Sequence, residues 1–251
     1  REANIPESVF HDINAAGTRR LLEAAIENNV PRLIHCSTGG VLGGVKNPPG
    51  TDKHPYNPGD MYQRSKVEGE KIALEYFSSG KIRGVVIRPG MIYGPGDTRH
   101  LKMFKMIKNR TFFYVGAGLT KVHLVDVRDV AQAFILAMQH KELNAEIYHI
   151  PGATSVPLRD VVKMIADRLG VREPWLHLPV KPVQWLGSLC EMVCKPFGIQ
   201  PPIYRRRVDF FTKTRHFDLT KAQRDLGYQP SRPLQEEVTE AVNWYQSHGW
   251  L

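Results

Sequence analysis

The sequence predicts an α/β protein, with a doubly wound parallel sheet covered by helices on both faces and a smaller C-terminal lobe. Two short apolar runs, at residues 32–36 and 84–88, are bounded by turn residues, as buried strands are. A long stretch of helical periodicity lies between them, and the order strand, helix, strand favours a parallel sheet. The 251 residues, 42% of them apolar, suit one large domain with a smaller lobe.

The net charge of +9 comes from 34 basic and 25 acidic residues. Such an excess is typical of proteins that meet nucleic acid, an anionic cofactor or an acidic membrane surface, and also of an ordinary solvated exterior. The one dense basic run, Arg205-Arg206-Arg207, lacks the interleaved aromatic residues that stack bases, so we expect no nucleic-acid partner. No signal peptide or long apolar run is visible, and we expect a soluble cytoplasmic protein.

Three cysteines make no disulfide framework. Cys190 and Cys194 lie four residues apart on a predicted helix, but no histidine pair stands nearby to complete a zinc site. We expect both of them, and Cys36, to be structural thiols, and we expect no metal.

The first predicted helix covers residues 14–29, where leucine, isoleucine and alanine recur at helical spacing. The strand at 32–36 follows, and it ends in Ser37, Thr38 and two glycines. The second strand ends in Pro89 and Gly90. Because parallel sheets bind ligands beyond the carboxyl ends of their strands, these residues mark one predicted binding edge.

Tyr62 and Lys66 lie four residues apart on the helix predicted over residues 60–77, and a loop rich in proline and glycine leads into it. Such a pair shares one helix face. A cation beside a phenol favours the phenolate and lowers its pKa, as a proton donor to or acceptor from a carbinol oxygen requires near neutral pH. The spacing alone is weak evidence, because many helices carry it by chance.

Four motifs follow one another along the chain, Asn14-x-x-Gly17-Thr18, Cys36-Ser37-Thr38-Gly39-Gly40-Val41-Leu42-Gly43, Tyr62-x-x-x-Lys66 and Arg88-Pro89-Gly90-Met91-Ile92-Tyr93-Gly94-Pro95-Gly96. In order and spacing they resemble the signature of the extended short-chain dehydrogenases/reductases. Residues 216–222 and 226–230 are similar to the tail of many members. The resemblance implies a Rossmann-like sheet and NAD or NADP as the cofactor.

Residues 88–97, the apolar stretch 178–197 running into Pro201-Pro202 and the basic run after it are similar to the 3β-hydroxysteroid dehydrogenase-like subgroup. Nucleotide-sugar epimerases usually carry an Arg-Asp pair where this chain has Val122-His123. The difference makes a substrate that bears a diphosphate less expected.

The resemblance also implies roles for individual residues. Tyr62 becomes the general acid/base, and Lys66 holds the cofactor ribose and stabilises the phenolate. Thr38 aligns with the hydroxyl that bonds the reacting oxygen, with Ser37 as the alternative and as a cofactor contact. Asn14 either supports a water relay behind the lysine or is a helix N-cap.

Pro89, Gly90 and Ile92 match the segment that meets the nicotinamide carboxamide in this family, although a proline can simply end a strand. Residues 182–193 form an apolar helix too short to span a bilayer. It could line an apolar substrate pocket, rest on a membrane surface or be a plain core helix.

No glycine-rich turn follows a strand in these 251 residues, although the family places the cofactor pyrophosphate on one. We expect the sequence to be a fragment of an N-terminally incomplete Rossmann-like domain, the alternative being a chain that lacks this half of the site. Residues 1–251 alone are then expected to bind NAD(P) weakly, and the first strand to border an exposed sheet edge.

We predict a dinucleotide-binding domain at residues 1–93 and 122–151 and a substrate-binding lobe at residues 94–121 and 152–251. The predicted activity is NAD(P)-dependent interconversion of a secondary alcohol and a ketone on an apolar, sterol-like small molecule. The alternatives are a nucleotide-sugar epimerase or dehydratase and a redox-inactive member that binds a nucleotide or a partner. Contact with a membrane surface is not favoured, and a homodimer is left open.

Overall fold

A computed structural model describes residues 5–194 and 205–251 and shows an α/β fold built on a parallel sheet. Three strands, β1 (Arg32–Cys36), β2 (Arg83–Pro89) and β7 (Ile147–Ile150), form the central sheet in the order β1-β2-β7. β1 pairs β2 from Arg32 opposite Arg83 to Cys36 opposite Ile87. All three strands run parallel, so their carboxyl ends lie at one edge.

The remaining strands form three short pairs. β3 pairs β6 in parallel, β4 pairs β9 in parallel, and β5 pairs β8 antiparallel. Their bounds are β3 Met91–Tyr93, β4 Tyr114–Val115, β5 Lys121–Val122, β6 Leu124–Asp126, β8 Val156–Pro157 and β9 His177–Leu178. The helices are α1 Glu7–His11, α2 Gly17–Glu27, α3 Met61–Ser78, α4 Leu101–Lys108, α5 Val127–Gln139, α6 Leu158–Leu169, α7 Val180–Cys194, α8 Arg205–Thr212, α9 Thr220–Leu226 and α10 Leu234–Ser247.

Helices cover both faces of the central sheet, which confirms the doubly wound prediction. On one face, Val86 of β2, with Leu33 and Ile147 of the neighbouring strands, packs against Leu22 of α2 and Phe77 of α3. On the other face, Ile87 and neighbouring strand residues pack against Ala133 of α5 and against α9. β2 is buried along its length except at Arg83, as a strand covered on both faces should be.

A second apolar cluster lies between α4, α6 and α10 and the short strands. Its largest buried members include Phe104, Tyr114 and Tyr245. α9 packs instead on β7 and α5 of the central sheet, although it belongs to the segment assigned to the smaller lobe. The boundaries at residues 93, 121 and 151 between a dinucleotide-binding domain and a substrate-binding lobe therefore stay a prediction.

The first helix differs from its predicted bounds. Helical structure begins at Glu7, and a π-helical turn over Asp12–Ala16 separates α1 from α2. One extra residue in the π turn shifts the helix face, and the apolar periodicity alone does not predict such a shift. α3 differs by one residue from its predicted range, with Asp60 capping it by accepting a hydrogen bond from the backbone N–H of Gln63 at 2.7 Å.

The apolar stretch that begins at residue 178 enters α7. Its last residues and Pro201-Pro202 lie outside the described residues. Within α7, Val183 is buried, but Trp185, Leu186 and Leu189 are exposed. The interpretation of this segment as a plain core helix is therefore wrong. No helix among the described residues is long and apolar enough to cross a bilayer.

Within the described residues, β1 has a strand neighbour on one side only, namely β2. The same part of the chain contains no group of histidine, cysteine, aspartate and glutamate side chains arranged to hold a metal ion. Cys190 and Cys194 lie together on α7 as predicted.

Candidate active site

The ammonium group of Lys66 lies at the carboxyl end of β1, where it donates a hydrogen bond to the carbonyl oxygen of Cys36. Lys66 lies on α3, which contacts the 3₁₀ turn that follows β1. Burial lowers the pKa of Lys66, while the nearby carboxylate of Glu70 acts in the opposite direction. The site thus holds a half-buried cation at the edge where the sheet predicts ligand binding.

Tyr62 lies one turn before Lys66 on α3 and is half-buried. The backbone around it is fixed, since Ser65 donates a hydrogen bond to the Tyr62 carbonyl at 2.8 Å. The i,i+4 arrangement predicted for Tyr62 and Lys66 is present in the helix.

The two candidate hydroxyls after β1 point to different surroundings. Ser37 is buried and donates its hydroxyl hydrogen to the carboxylate of Glu70. Thr38 is half-buried, has an extended backbone, and accepts a hydrogen bond from the Gly40 N–H at 3.1 Å. Thr38 caps the 3₁₀ turn Gly39–Leu42, so its hydroxyl is held at the end of the strand by the backbone of that turn.

Asn14 lies in the π-helical turn before α2, so the interpretation of this residue as a helix N-cap is wrong. Its side-chain amide donates to the Ser65 hydroxyl at 3.0 Å, and Ser65 in turn reaches the carbonyl of Tyr62. Its carbonyl oxygen accepts from the Thr18 hydroxyl at 2.7 Å and lies against Gly69 of α3. π-helical turns are frequent at functional sites, and this one fixes the helix that carries Tyr62.

Pro89 is buried at the end of β2, and Gly90 follows it. The Gly90 N–H bonds the carbonyl of Ile150 at 2.9 Å. A Cβ at Gly90 would lie 2.6 Å from the carbonyl oxygen of His123, which explains why no side chain stands there. Ile92 follows in β3, half-buried, with its carbonyl bonded by Arg99 at 2.9 Å.

A buried charged cluster beneath the site was not predicted from the sequence. Glu70 on α3 and Arg88 on β2 form an ion pair whose side chains are 0% and 1% exposed. The Tyr56 hydroxyl donates to Glu70 at 2.8 Å, and burial together with this carboxylate raises the Tyr56 pKa to about 12. The position of Glu70 could have indicated this cluster, because the residue lies one turn after Lys66 on a helix face that is otherwise buried.

His123 occupies the place where nucleotide-sugar epimerases usually carry the Arg-Asp pair, and it is buried. Its Nδ1 accepts from the Phe217 N–H at 3.2 Å, so Nε2 carries the proton and donates to the Gly152 carbonyl at 3.0 Å. Burial, aided by His216, lowers the His123 pKa to about 4. The residue is therefore neutral and joins the tail of the chain to the sheet.

A cavity of about 600 Å³ lies beside the loop that precedes α3. Leu42, Lys46, Lys53, His54 and Tyr56 are among its lining residues, and none of the candidate site residues is. The predicted site residues lie instead at the strand ends, where Lys66 contacts the Cys36 carbonyl and Thr38 begins the 3₁₀ turn.

Residues 1–150 match the sequence model described as the NAD dependent epimerase/dehydratase family. The chain belongs to this family. Short-chain dehydrogenase/reductase family 42E member 1 of Danio rerio is 31% identical over 265 residues, which cover 96% of this chain and 67% of the relative. The predicted membership of the extended short-chain dehydrogenases/reductases is confirmed.

A second relative supports the predicted subgroup. The 3beta-hydroxysteroid-dehydrogenase/decarboxylase isoform 2 of Arabidopsis thaliana is 26% identical over 93% of this chain and 44% of its own length. Among solved structures, DesIV of Streptomyces venezuelae, a dTDP-glucose 4,6-dehydratase with NAD bound, has the same fold at a TM-score of 0.74. It is 23% identical, and the match covers 97% of this chain and 69% of DesIV. The chain thus spans about two thirds or less of the length of these proteins.

Proposed function

We propose that the protein is an NAD(P)-dependent oxidoreductase that interconverts a secondary alcohol and a ketone on an apolar, sterol-like substrate. One observation carries the proposal: the Lys66 ammonium, on the same helix face as Tyr62, bonds the carbonyl of Cys36 at the end of β1, and Thr38 follows Cys36 by two residues. A cation, a phenol and a hydroxyl at one strand end are the groups that proton transfer to a carbinol oxygen needs.

The residues present fit the nicotinamide end of the cofactor. Lys66 and Tyr62 would meet the ribose, and Pro89, Gly90 and Ile92 would meet the carboxamide. Gly90 keeps position 90 free of a side chain, since a Cβ there would lie 2.6 Å from the carbonyl oxygen of His123. When bound, the nicotinamide would supply hydride transfer, which no side chain can perform.

The chain's own residues would then handle the proton. Tyr62 gives its phenolic proton to the ketone oxygen, or takes the proton from the alcohol in the reverse direction. Lys66 favours the phenolate by its charge, and Thr38 donates a hydrogen bond to the same oxygen. Asn14 holds the first turn of α3 through Ser65, and the water relay predicted for it would run behind Lys66.

Two observations support an apolar substrate over a nucleotide sugar. His123 is neutral and committed to two backbone groups, so it offers no cation to a diphosphate. The relative from Arabidopsis thaliana carries a 3β-hydroxysteroid dehydrogenase name. The family description and the likeness to a dTDP-glucose dehydratase favour the second candidate, a nucleotide-sugar epimerase or dehydratase.

A competition experiment on the full-length protein separates these candidates. With NAD and NADP supplied, we expect turnover of a 3β-hydroxysteroid, and we expect UDP-glucose and dTDP-glucose to compete poorly. Tight binding of a nucleotide sugar without a response to sterols would reverse the two. Cofactor binding without turnover of any of them would favour the third candidate, a redox-inactive member of the fold.

A further inference from the structure

Glu70 is a fully buried carboxylate for which the roles above give no use. It lies one turn after Lys66 on α3. Its two oxygens accept hydrogen bonds from the Ser37 hydroxyl, from the Tyr56 hydroxyl at 2.8 Å and from the Nε of Arg88 at 3.1 Å. One carboxylate therefore joins α3 to the end of β1, to the loop before α3 and to the end of β2.

Two of these donors stand directly before candidate site residues. Ser37 precedes Thr38, and Arg88 precedes Pro89. Thr38 has an extended backbone, and its hydroxyl is held locally by the Gly40 N–H. The backbone at position 37, just before Thr38, is held on two sides: its N–H donates to the Ile87 carbonyl at 2.8 Å, and the Ser37 side chain donates to Glu70 on α3.

An ionised carboxylate suits this place for a chemical reason. It accepts hydrogen bonds at about four lone-pair positions and donates none, so it can hold a hydroxyl, a phenol and a guanidinium at once. Hydrogen bonds to a charged group are short and directional, whereas apolar contacts allow neighbouring segments to slide. The buried position of the Arg88–Glu70 pair also keeps water from competing for these bonds.

We propose that Glu70 is a positioning residue that acts through Ser37 to hold the Thr38 hydroxyl against the face of α3 that carries Tyr62 and Lys66. The inference rests on the proposed function, because the role of Thr38 belongs to it. A reacting group displaced by about 1 Å can lose about 100-fold in rate, so this kind of support matters to turnover.

A double-mutant cycle tests the proposal in the full-length protein, with kcat for alcohol oxidation as the readout. Ser37→Ala removes the hydroxyl donor but no charge. We expect it to lower kcat by about 10-fold or more in the wild-type background, and by less than about 3-fold in the Thr38→Ala background. An equal loss in both backgrounds would overturn the proposal, because Ser37 would then act independently of Thr38.

The matched control is Tyr76→Phe, which removes another hydroxyl-to-carboxylate hydrogen bond of α3, the one to Glu23 at 3.1 Å. We expect kcat within about 2-fold of the wild type in this variant. Glu70→Gln is the stronger perturbation, and where it folds it should reproduce the dependence on Thr38 seen with Ser37→Ala. A loss of kcat in Tyr76→Phe as large as in Ser37→Ala would also overturn the proposal.

A second readout does not depend on turnover. Amide hydrogen exchange at positions 37 and 40 should be about 10-fold faster in Ser37→Ala than in the wild type, and unchanged in Tyr76→Phe. Unchanged exchange in Ser37→Ala would refute the positioning role. The proposed function fails separately, if the wild-type protein turns over no alcohol while the exchange rates change as expected.

Discussion

Replacement of Gly69 by alanine tests how tightly the π-helical turn is held against α3. A Cβ at this position would lie 2.0 Å from the carbonyl oxygen of Asn14 and 3.1 Å from its carbonyl carbon. Both are backbone atoms, so no side chain can rotate away. The two helical segments would have to separate by more than 1 Å at this point to reach ordinary contact, and the hydrogen bond from Asn14 to Ser65 would lengthen.

The magnitude follows from two opposing effects. Overpacking against a backbone atom costs up to about 3 kcal/mol, while alanine gains about 1 kcal/mol over glycine in a helix interior. The net loss in the free energy of unfolding is about 2 kcal/mol. For a chain of this size, that corresponds to a fall in Tm of about 4–8 °C.

Thermal unfolding followed by circular dichroism measures this shift, with Gly80→Ala as the control. Gly80 lies just past α3 at φ +73° with no atom within 4 Å of an added Cβ, so only the left-handed backbone opposes a side chain there. We expect that control to lose about 1 kcal/mol. A Tm for Gly69→Ala equal to the wild-type value, or above that of Gly80→Ala, would refute the packing argument.

Two further predictions concern charge. Lys66→Ala should weaken NAD(P) binding by about 10-fold and lower turnover, because it removes the proposed ribose contact and the cation one helical turn from Tyr62. Lys105 is exposed, and Lys105→Ala should change neither quantity. Equal NAD(P) affinities of the two variants by calorimetry would contradict the proposed role of Lys66. Burial lowers the pKa of His35 and His123 to about 4 and that of His149 to about 3. Below about pH 6.5 these histidines are therefore protonated in the unfolded chain but neutral in the folded chain. The free energy of unfolding is highest above that pH and decreases as the pH falls from there through the folded-state pKa values. When urea unfolding is measured between pH 7 and 5, the free energy of unfolding should change by up to about 4 kcal/mol per pH unit, and by about a third less in His123→Gln. A free energy of unfolding that does not change with pH would contradict this prediction.

The central sheet could be predicted from the sequence because its strands are short, apolar and bounded by turn residues. The first strand was predicted residue for residue, and α3 within one residue at each end. The ammonium group of Lys66 lies at the carbonyl of Cys36, two residues before Thr38, while the assembly of Thr38, Tyr62 and Lys66 into one site stays a prediction. Local periodicity and turn chemistry are sufficient for features of this kind.

The features that sequence reasoning missed depend on contacts between distant segments. Glu70 looks like an ordinary helix carboxylate until Arg88, 18 residues later, is seen to meet it inside the fold. The π-helical turn at Asn14 has no periodic signature, and the glycine that accommodates it is 55 positions away on α3. The exposed face of α7 likewise could not be inferred, because an apolar helix has the same sequence pattern in a core and on a surface.

Tyr62→Phe tests the central claim most directly, with kcat for oxidation of a secondary alcohol in the full-length protein as the measured quantity. The substitution removes the phenolic proton and little else, and a general acid/base group contributes about 10² to 10⁴ in rate. Tyr76→Phe on the same helix provides the matched control. We predict that Tyr62→Phe loses at least about 100-fold in kcat while its Tm and its NAD(P) affinity stay within about 2 °C and about 3-fold of the wild type. Turnover of Tyr62→Phe close to that of Tyr76→Phe would contradict the assignment of Tyr62 as the proton-transfer group.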